Sequence, residues 1–250
     1  MNKLNPLKNL RILNTRPTAQ AHTFSQALRD AGGISIELPT ITIVPTARDW
    51  ITCLPPRASF AYAIFISPNA VLHFFNAEPP SSWPLTLQTI AIGNGTRRAC
   101  AHRGINVHLV PIYADSEHLL ALEALQHIQS KTILLIKGKD GRTLIEDTLI
   151  QRGAQVTTAA VYQRSCPPID KKRTHTLWQE DAVDMILITS QQAMQHLFTL
   201  FEPAARTWLC SKPFLVISPR LAQIAAKYGI KTTFVSRHDA LMNTLKEVFT

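Results

Sequence analysis

The sequence predicts an α/β protein made of two similar parallel-sheet domains with a cleft between them. Three observations carry this. Short β-rich runs alternate with segments of helical period, the order that builds parallel sheets. Gly32, Gly104, Gly153 and Gly229 each close a helical segment just before a strand, where a left-handed residue ends the helix. Landmarks of the first half also recur in the second at a nearly constant offset.

Strands are expected at 11–15, 62–67, 89–93, 106–109, 132–137, 185–190, 214–218 and 231–235. Helices are expected at 19–31, 116–128, 143–152 and 221–228, where apolar residues recur three and four apart. The repeat aligns 12–16 with 133–137 at an offset of 121, 64–67 with 187–190 at 123, and 91–93 with 216–218 at 125. Arg16 to Gly32 and Lys137 to Gly153 both span 16 positions, and Gly93 to Gly104 and Ser218 to Gly229 both span 11. Two related domains with a pseudo-twofold relation account for the shared spacing.

Composition narrows the function. A chain of 250 residues with 46% hydrophobic and 17% charged residues can bury a sizeable core, which excludes wholesale disorder. No apolar run is long enough to span a membrane, and residues 1–16 lack the apolar stretch of a secretory signal, so a cytoplasmic location is expected. Cys53, Cys100, Cys166 and Cys210 form no CxxC pair and have no histidine at zinc-ligand spacing, so neither a metal nor a disulfide framework is expected. Gly93-Asn94-Gly95 has Arg98 where a dinucleotide fingerprint needs its third glycine, and 138–142 is no P-loop. The nine histidines are scattered and read as surface or capping residues.

Ligands of such sheets bind at the carboxyl ends of strands. The junctions there read Thr15-Arg16-Pro17-Thr18, Ser67-Pro68-Asn69-Ala70, Gly93-Asn94-Gly95-Thr96, Lys137-Gly138-Lys139-Asp140-Gly141-Arg142, Thr189-Ser190-Gln191-Gln192 and Ser218-Pro219-Arg220-Leu221. Hydroxyls, amides, glycines and cations dominate. Each serine or threonine can simply cap a helix; taken together, the set suits an anionic small molecule. Tyr162, at the expected end of the strand 155–161, can either pack or face the cleft.

Thr15-Arg16-Pro17, Ile66-Ser67-Pro68-Asn69-Ala70-Val71, Ile92-Gly93-Asn94-Gly95-Thr96, Lys137-Gly138, Gly141-Arg142-Thr143-Leu144, Gly153-Ala154-Gln155-Val156, Val161-Tyr162-Gln163-Arg164 and Thr189-Ser190 resemble the uroporphyrinogen-III synthase family, in order, over residues 12–235. The resemblance implies that one domain is discontinuous: 1–36 with 168–250, against 45–157, joined by a two-stranded β ladder from 37–44 and 158–167. It implies cofactor-free cyclisation of hydroxymethylbilane, a linear tetrapyrrole with eight carboxylates, with inversion of ring D and loss of water. Tyr162 would assist departure of the hydroxyl. Ser67, Asn69, Thr96, Ser190 and Gln191 would hold or orient substrate, and Arg16, Lys137 and Arg142 would meet its carboxylates. A monomer in transient contact with the preceding pathway enzyme is expected. The junction at Ser218-Pro219-Arg220-Leu221 departs from the family's Gly-Pro-Thr-Thr type, which loses a hydroxyl and makes Arg220 a further substrate-binding candidate.

Two rivals follow from the same sequence. A net charge of +9 fits a nucleic-acid-binding module, but the one dense basic run, Lys171-Lys172-Arg173, lacks interleaved aromatics and reads as a solvated face. A non-catalytic two-domain anion binder is the other.

Overall fold

The computed structural model describes residues 7–141, 143–168 and 170–249. The chain divides into two compact units, Met1–Thr42 with Ser165–Thr250, and Ile43–Arg164. In chain order, the first unit begins with β1 (Arg11–Asn14), α1 (Thr18–Asp30) and β2 (Ile34–Glu37). The second follows with β3 (Thr42–Pro45), α2 (Asp49–Thr52), β4 (Tyr62–Phe65), α3 (Pro68–Ala77), β5 (Gln88–Ala91), α4 (Asn94–Ala101), α5 (Ser116–Leu120), β6 (Thr132–Gly138), α6 (Leu144–Gln151) and β7 (Gln155–Ser165). The chain then completes the first unit with α7 (Lys171–Gln179), β8 (Met185–Ile188), α8 (Gln191–Leu200), α9 (Arg206–Ser211), β9 (Phe214–Val216), α10 (Pro219–Tyr228), β10 (Thr233–Val235) and α11 (Leu241–Phe249).

The first unit's sheet has the order β10-β9-β8-β1-β2, with every neighbouring pair parallel. Alternate residues face opposite sides of a strand. Leu13, Ile186, Ile188, Phe214 and Val216 therefore meet α8 and α10, while Ile12, Met185, Leu187 and Leu215 meet α1 and α11. With both faces covered, β8 can read Met-Ile-Leu-Ile without a polar residue. Arg11 fixes the start of this sheet: its backbone N–H and Nε donate to Asp184 Oδ2 at 2.8 and 3.0 Å, and Nη2 to Oδ1 at 2.6 Å.

The second unit's sheet has the order β3-β7-β6-β4-β5. Ala63, Phe65, Leu134, Ile136 and Val161 pack with Val71 and Phe74 of α3, while Ile64, Ile133 and Leu135 pack with Leu119, Ile145 and Leu149. Gly32, Gly104, Gly153 and Gly229 all have positive φ, from 72 to 94°, as their positions after helices predict.

Two expectations change. Residues 106–109 form no strand, only an isolated bridge from Leu109 to Ile90, because the His108 ring accepts the Thr89 N–H that a ladder would use. The helix expected over 116–128 stops at Leu120, and a 3₁₀ turn follows at Glu123–Leu125. Side chains take the carbonyls there: Gln126 Nε2 donates to Leu120 O, and Arg152 Nη1 donates to the carbonyls of Leu120 and Leu125. β7 extends through 158–165 between β6 and β3, so residues of the two segments that the resemblance joins as a ladder lie on neighbouring strands of this sheet.

Candidate active site

Parallel strands leave their carboxyl ends beside the amino ends of the following helices, and both units place polar groups there. In the second unit the focus is Tyr162. Its strand pairs residue by residue with β6 until Lys137↔Ala160, and the next pair is Gly138↔Tyr162. Val161 is the extra residue of a β-bulge, so Val161 and Tyr162 both turn to the face covered by α3. Tyr162 thus lies inside its strand, not at its end.

The phenol is 8% exposed, and its hydroxyl is 3.0 Å from Ser67 Oγ. Ser67 is the N-cap of α3 and accepts the Ala70 N–H at 3.0 Å. Ser67, Ala70 and His73 recur at three-residue spacing and line one face of the helix. The His73 ring stacks on Tyr162 with centroids 5.8 Å apart, and burial holds its pKa below the usual imidazole value. On the β6 side, a Cβ at Gly138 would lie 2.8 Å from Tyr162 Cε2 and Cζ and 3.1 Å from its hydroxyl. Glycine is therefore what lets the phenol lie on the strand. The carbonyl of Tyr162 accepts the Lys139 N–H at 2.7 Å. Neither His73 nor the steric role of Gly138 was singled out from sequence; only the Lys137-Gly138 pair was.

In the first unit, Ser190 and Ser218 cap α8 and α10, accepting the N–H groups of Ala193 and Leu221 at 3.0 and 3.2 Å. Ser190, Gln191 and Arg220 line one cavity of about 250 Å³ with Thr189, Ser218 and Leu221. Arg16, at the end of β1, is half-buried; its Nε has no hydrogen-bond partner, and Nη2 stands 3.5 Å from His238 Nδ1. Burial lowers its pKa, and the guanidinium keeps donor capacity for an anion.

Other expected residues are placed differently. Lys137 is not open to a carboxylate ligand: it shares the α6-facing side of β6 with Ile133 and Leu135, is 6% exposed, and donates to Glu146 Oε2 at 3.1 Å. Thr158 Oγ1 donates to the other oxygen of that carboxylate at 2.8 Å. Thr96 is 2% exposed, so its side chain is buried within the unit and not presented at the surface. Asn69 is half-buried in the first turn of α3. Arg142 lies outside the described residues. Among the described residues there is no cluster of three or more His, Cys, Asp or Glu that could hold a metal ion, and no helix long and apolar enough to cross a membrane. The arrangement is one of hydrogen-bond donors: a phenol tied to a helix N-terminus in one unit, and serine, amide and guanidinium groups around a cavity in the other.

Known proteins share this sequence pattern and this architecture. The profile of the family described as uroporphyrinogen-III synthase HemD matches residues 22–242. The uroporphyrinogen-III synthase of Escherichia coli K12 is 31% identical over 245 residues, covering 94% of this chain and 99% of that protein. That of Proteus mirabilis is 31% identical over 193 residues, covering 75% and 97%. Among solved structures, the uroporphyrinogen-III synthetase of Helicobacter pylori 26695 superposes with a TM-score of 0.62 at 13% identity, covering 96% of this chain and 99% of that one. A mutant uroporphyrinogen III synthase of Thermus thermophilus gives 0.56 at 18% identity, covering 96% and 97%. These two structures share the α/β architecture. By its sequence, the chain belongs to the uroporphyrinogen-III synthase family.

Proposed function

We propose that this chain closes hydroxymethylbilane to uroporphyrinogen III, with Tyr162 as the proton donor that releases the terminal hydroxyl and Ser67 as the residue that aims it. Family membership makes the chain a cyclising lyase of tetrapyrrole biosynthesis. The observation carrying the assignment of roles is the 3.0 Å contact of Tyr162 with Ser67 above Gly138.

The donors can be ordered in one direction. The Ala70 N–H donates to Ser67 Oγ, the Ser67 O–H donates to the phenolic oxygen, and the phenol O–H is left for the substrate. Each bond polarises the next. As the C–O bond of the hydroxymethyl group breaks, its oxygen takes the phenolic proton and leaves as water. The negative charge on the phenolic oxygen is met by Ser67 and by the positive end of α3. The resulting azafulvene is attacked by ring D through its substituted carbon, giving a spiro intermediate that fragments and recloses inverted. The last deprotonation, from the pyrrole carbon, returns the proton to Tyr162. One molecule of substrate gives one of product and one of water.

The carboxylates of the substrate suit the remaining donors: Arg16, Ser190, Gln191 and Arg220 in the first unit, and the α3 N-terminus with Asn69 in the second. Held this way, the chain reacts in one folded geometry, and such orientation can contribute roughly 7–11 kcal/mol at best. The reading includes a monomer acting in the cytoplasm without a cofactor, in transient contact with the enzyme that supplies its substrate. Tyr162→Phe tests it: kcat should fall about 10²–10⁴-fold, the range of a positioned proton donor, with the far-ultraviolet dichroism unchanged. Near-normal turnover would assign Tyr162 to packing.

A further inference from the structure

Leu109 bridges Ile90 in parallel, so the chain beyond it emerges at the same end of the second sheet as the carboxyl ends of β4, β5 and β6. There, two neighbouring apolar residues stand in solvent: Ile112 is 90% exposed and Tyr113 63%. The loop that carries them is held. The Asp115 N–H donates to Tyr113 O at 3.0 Å, Asp115 Oδ1 accepts the His118 N–H at 2.8 Å, and the His118 ring meets Tyr113 edge-on with centroids 4.7 Å apart. Next to them, Ala114 packs on Gly93, where an added Cβ would lie 2.5 Å from the Ala114 Cβ. The Gly93 backbone is extended, with φ of −178°, so the glycine serves this close approach. The loop is pinned against the turn that opens α4.

We infer that Ile112 and Tyr113 form a platform on which a pyrrole ring of the substrate stacks, an inference that rests on the synthase reading above. A flat π-system fits an exposed tyrosine ring and a branched aliphatic side chain. The neighbouring helix α4 has no acidic residue in its first turn and carries exposed Arg97 and Arg98, while the loop's own carboxylate, Asp115, is engaged by His118. The platform lies beyond the carboxyl end of β5, which is three strand positions from the strand bearing Tyr162, about 14 Å at a spacing near 4.8 Å. A ligand reaching both is an extended chain of several rings, which a linear tetrapyrrole is. Because the loop is ordered beforehand, stacking loses little conformational entropy.

The test uses the full chain with freshly generated hydroxymethylbilane, measuring KM, kcat and the isomer of the oxidised porphyrin for wild type, Tyr113→Ala, Tyr113→Phe and Ile112→Ser. Tyr113→Ala should raise KM about tenfold, within the range of single stacking contacts, with kcat within about twofold by the same reasoning. Tyr113→Phe keeps the ring and should restore KM, and Ile112→Ser should raise it about threefold. Wild-type formation of isomer III with unchanged KM in Tyr113→Ala and Ile112→Ser would overturn the platform alone. A wild type that yields only isomer I would overturn the synthase reading and the platform with it. Sedimentation showing a dimer that these substitutions dissociate, with KM unmoved, would give the patch to a second copy of the chain.

Discussion

Replacing Gly138 with alanine sets a methyl group against the ring of Tyr162. The new carbon would lie 2.8 Å from Cε2 and Cζ, and restoring a carbon contact of about 3.5 Å requires roughly 0.7 Å of movement. The ring cannot simply turn away, because His73 stacks on it. The contact with Ser67 at 3.0 Å is already at the long end for O–H···O, so a shift of this size breaks it. Displacement of about 1 Å at a reacting group costs roughly 10²-fold; kcat of Gly138→Ala should fall about 10–100-fold, with about 1–3 kcal/mol of overpacking lost from stability. Because both substitutions act through one hydroxyl, the effects should not add: in a Tyr162→Phe background, Gly138→Ala should lower kcat by less than about threefold. Additive losses in steady-state kinetics would refute the claim that Gly138 serves the phenol.

Two further outcomes follow from the ion pairs. Lys137→Met removes one partner of a largely buried pair and leaves Glu146 uncompensated, which should cost about 3 kcal/mol and lower Tm by roughly 6–12 °C, with KM unchanged in the folded protein; a raised KM would return Lys137 to the substrate. Asp184 is held below the usual carboxylate range chiefly by the Arg11 side chain. A carboxyl depressed in the folded state stabilises above its unfolded pKa, about 3.9, and loses that contribution as pH falls through its folded value. Asp184→Asn should therefore lower Tm at neutral pH, and the gap from wild type should shrink below about pH 4; a gap independent of pH would disprove the link.

Much of this architecture was legible as pattern. Alternation of strands and helices, and glycines at fixed distances from the junctions, report on backbone geometry that recurs locally, so the parallel α/β class and all four left-handed glycines could be read from residue order, whereas the short edge strands β2 and β3 were not among the expected strands and the discontinuous first unit came only from the resemblance. What depends on one contact could not. The bulge that places Tyr162 inside β7 comes from a single unpaired residue, Val161, within an ordinary β-rich run. The segment 106–109 reads as a strand because its competitor is a histidine ring nitrogen, invisible to periodicity. Lys137 has the chemistry of a ligand and sits at a strand end, but alternation along β6 turns it toward α6, where Glu146 meets it. The serines gave the correct junctions and the correct caps; which of them also holds a catalytic group required knowing what lies across the sheet.

The measurement that bears most directly on the central claim is the isomer made from fresh hydroxymethylbilane. Uncatalysed closure gives the symmetric isomer I, so the protein has to win a race. After oxidation and separation of the porphyrins, the share of isomer III should rise with protein concentration until it dominates, and Tyr162→Phe should need far more protein to reach the same share. Isomer I alone at every protein concentration would contradict the account.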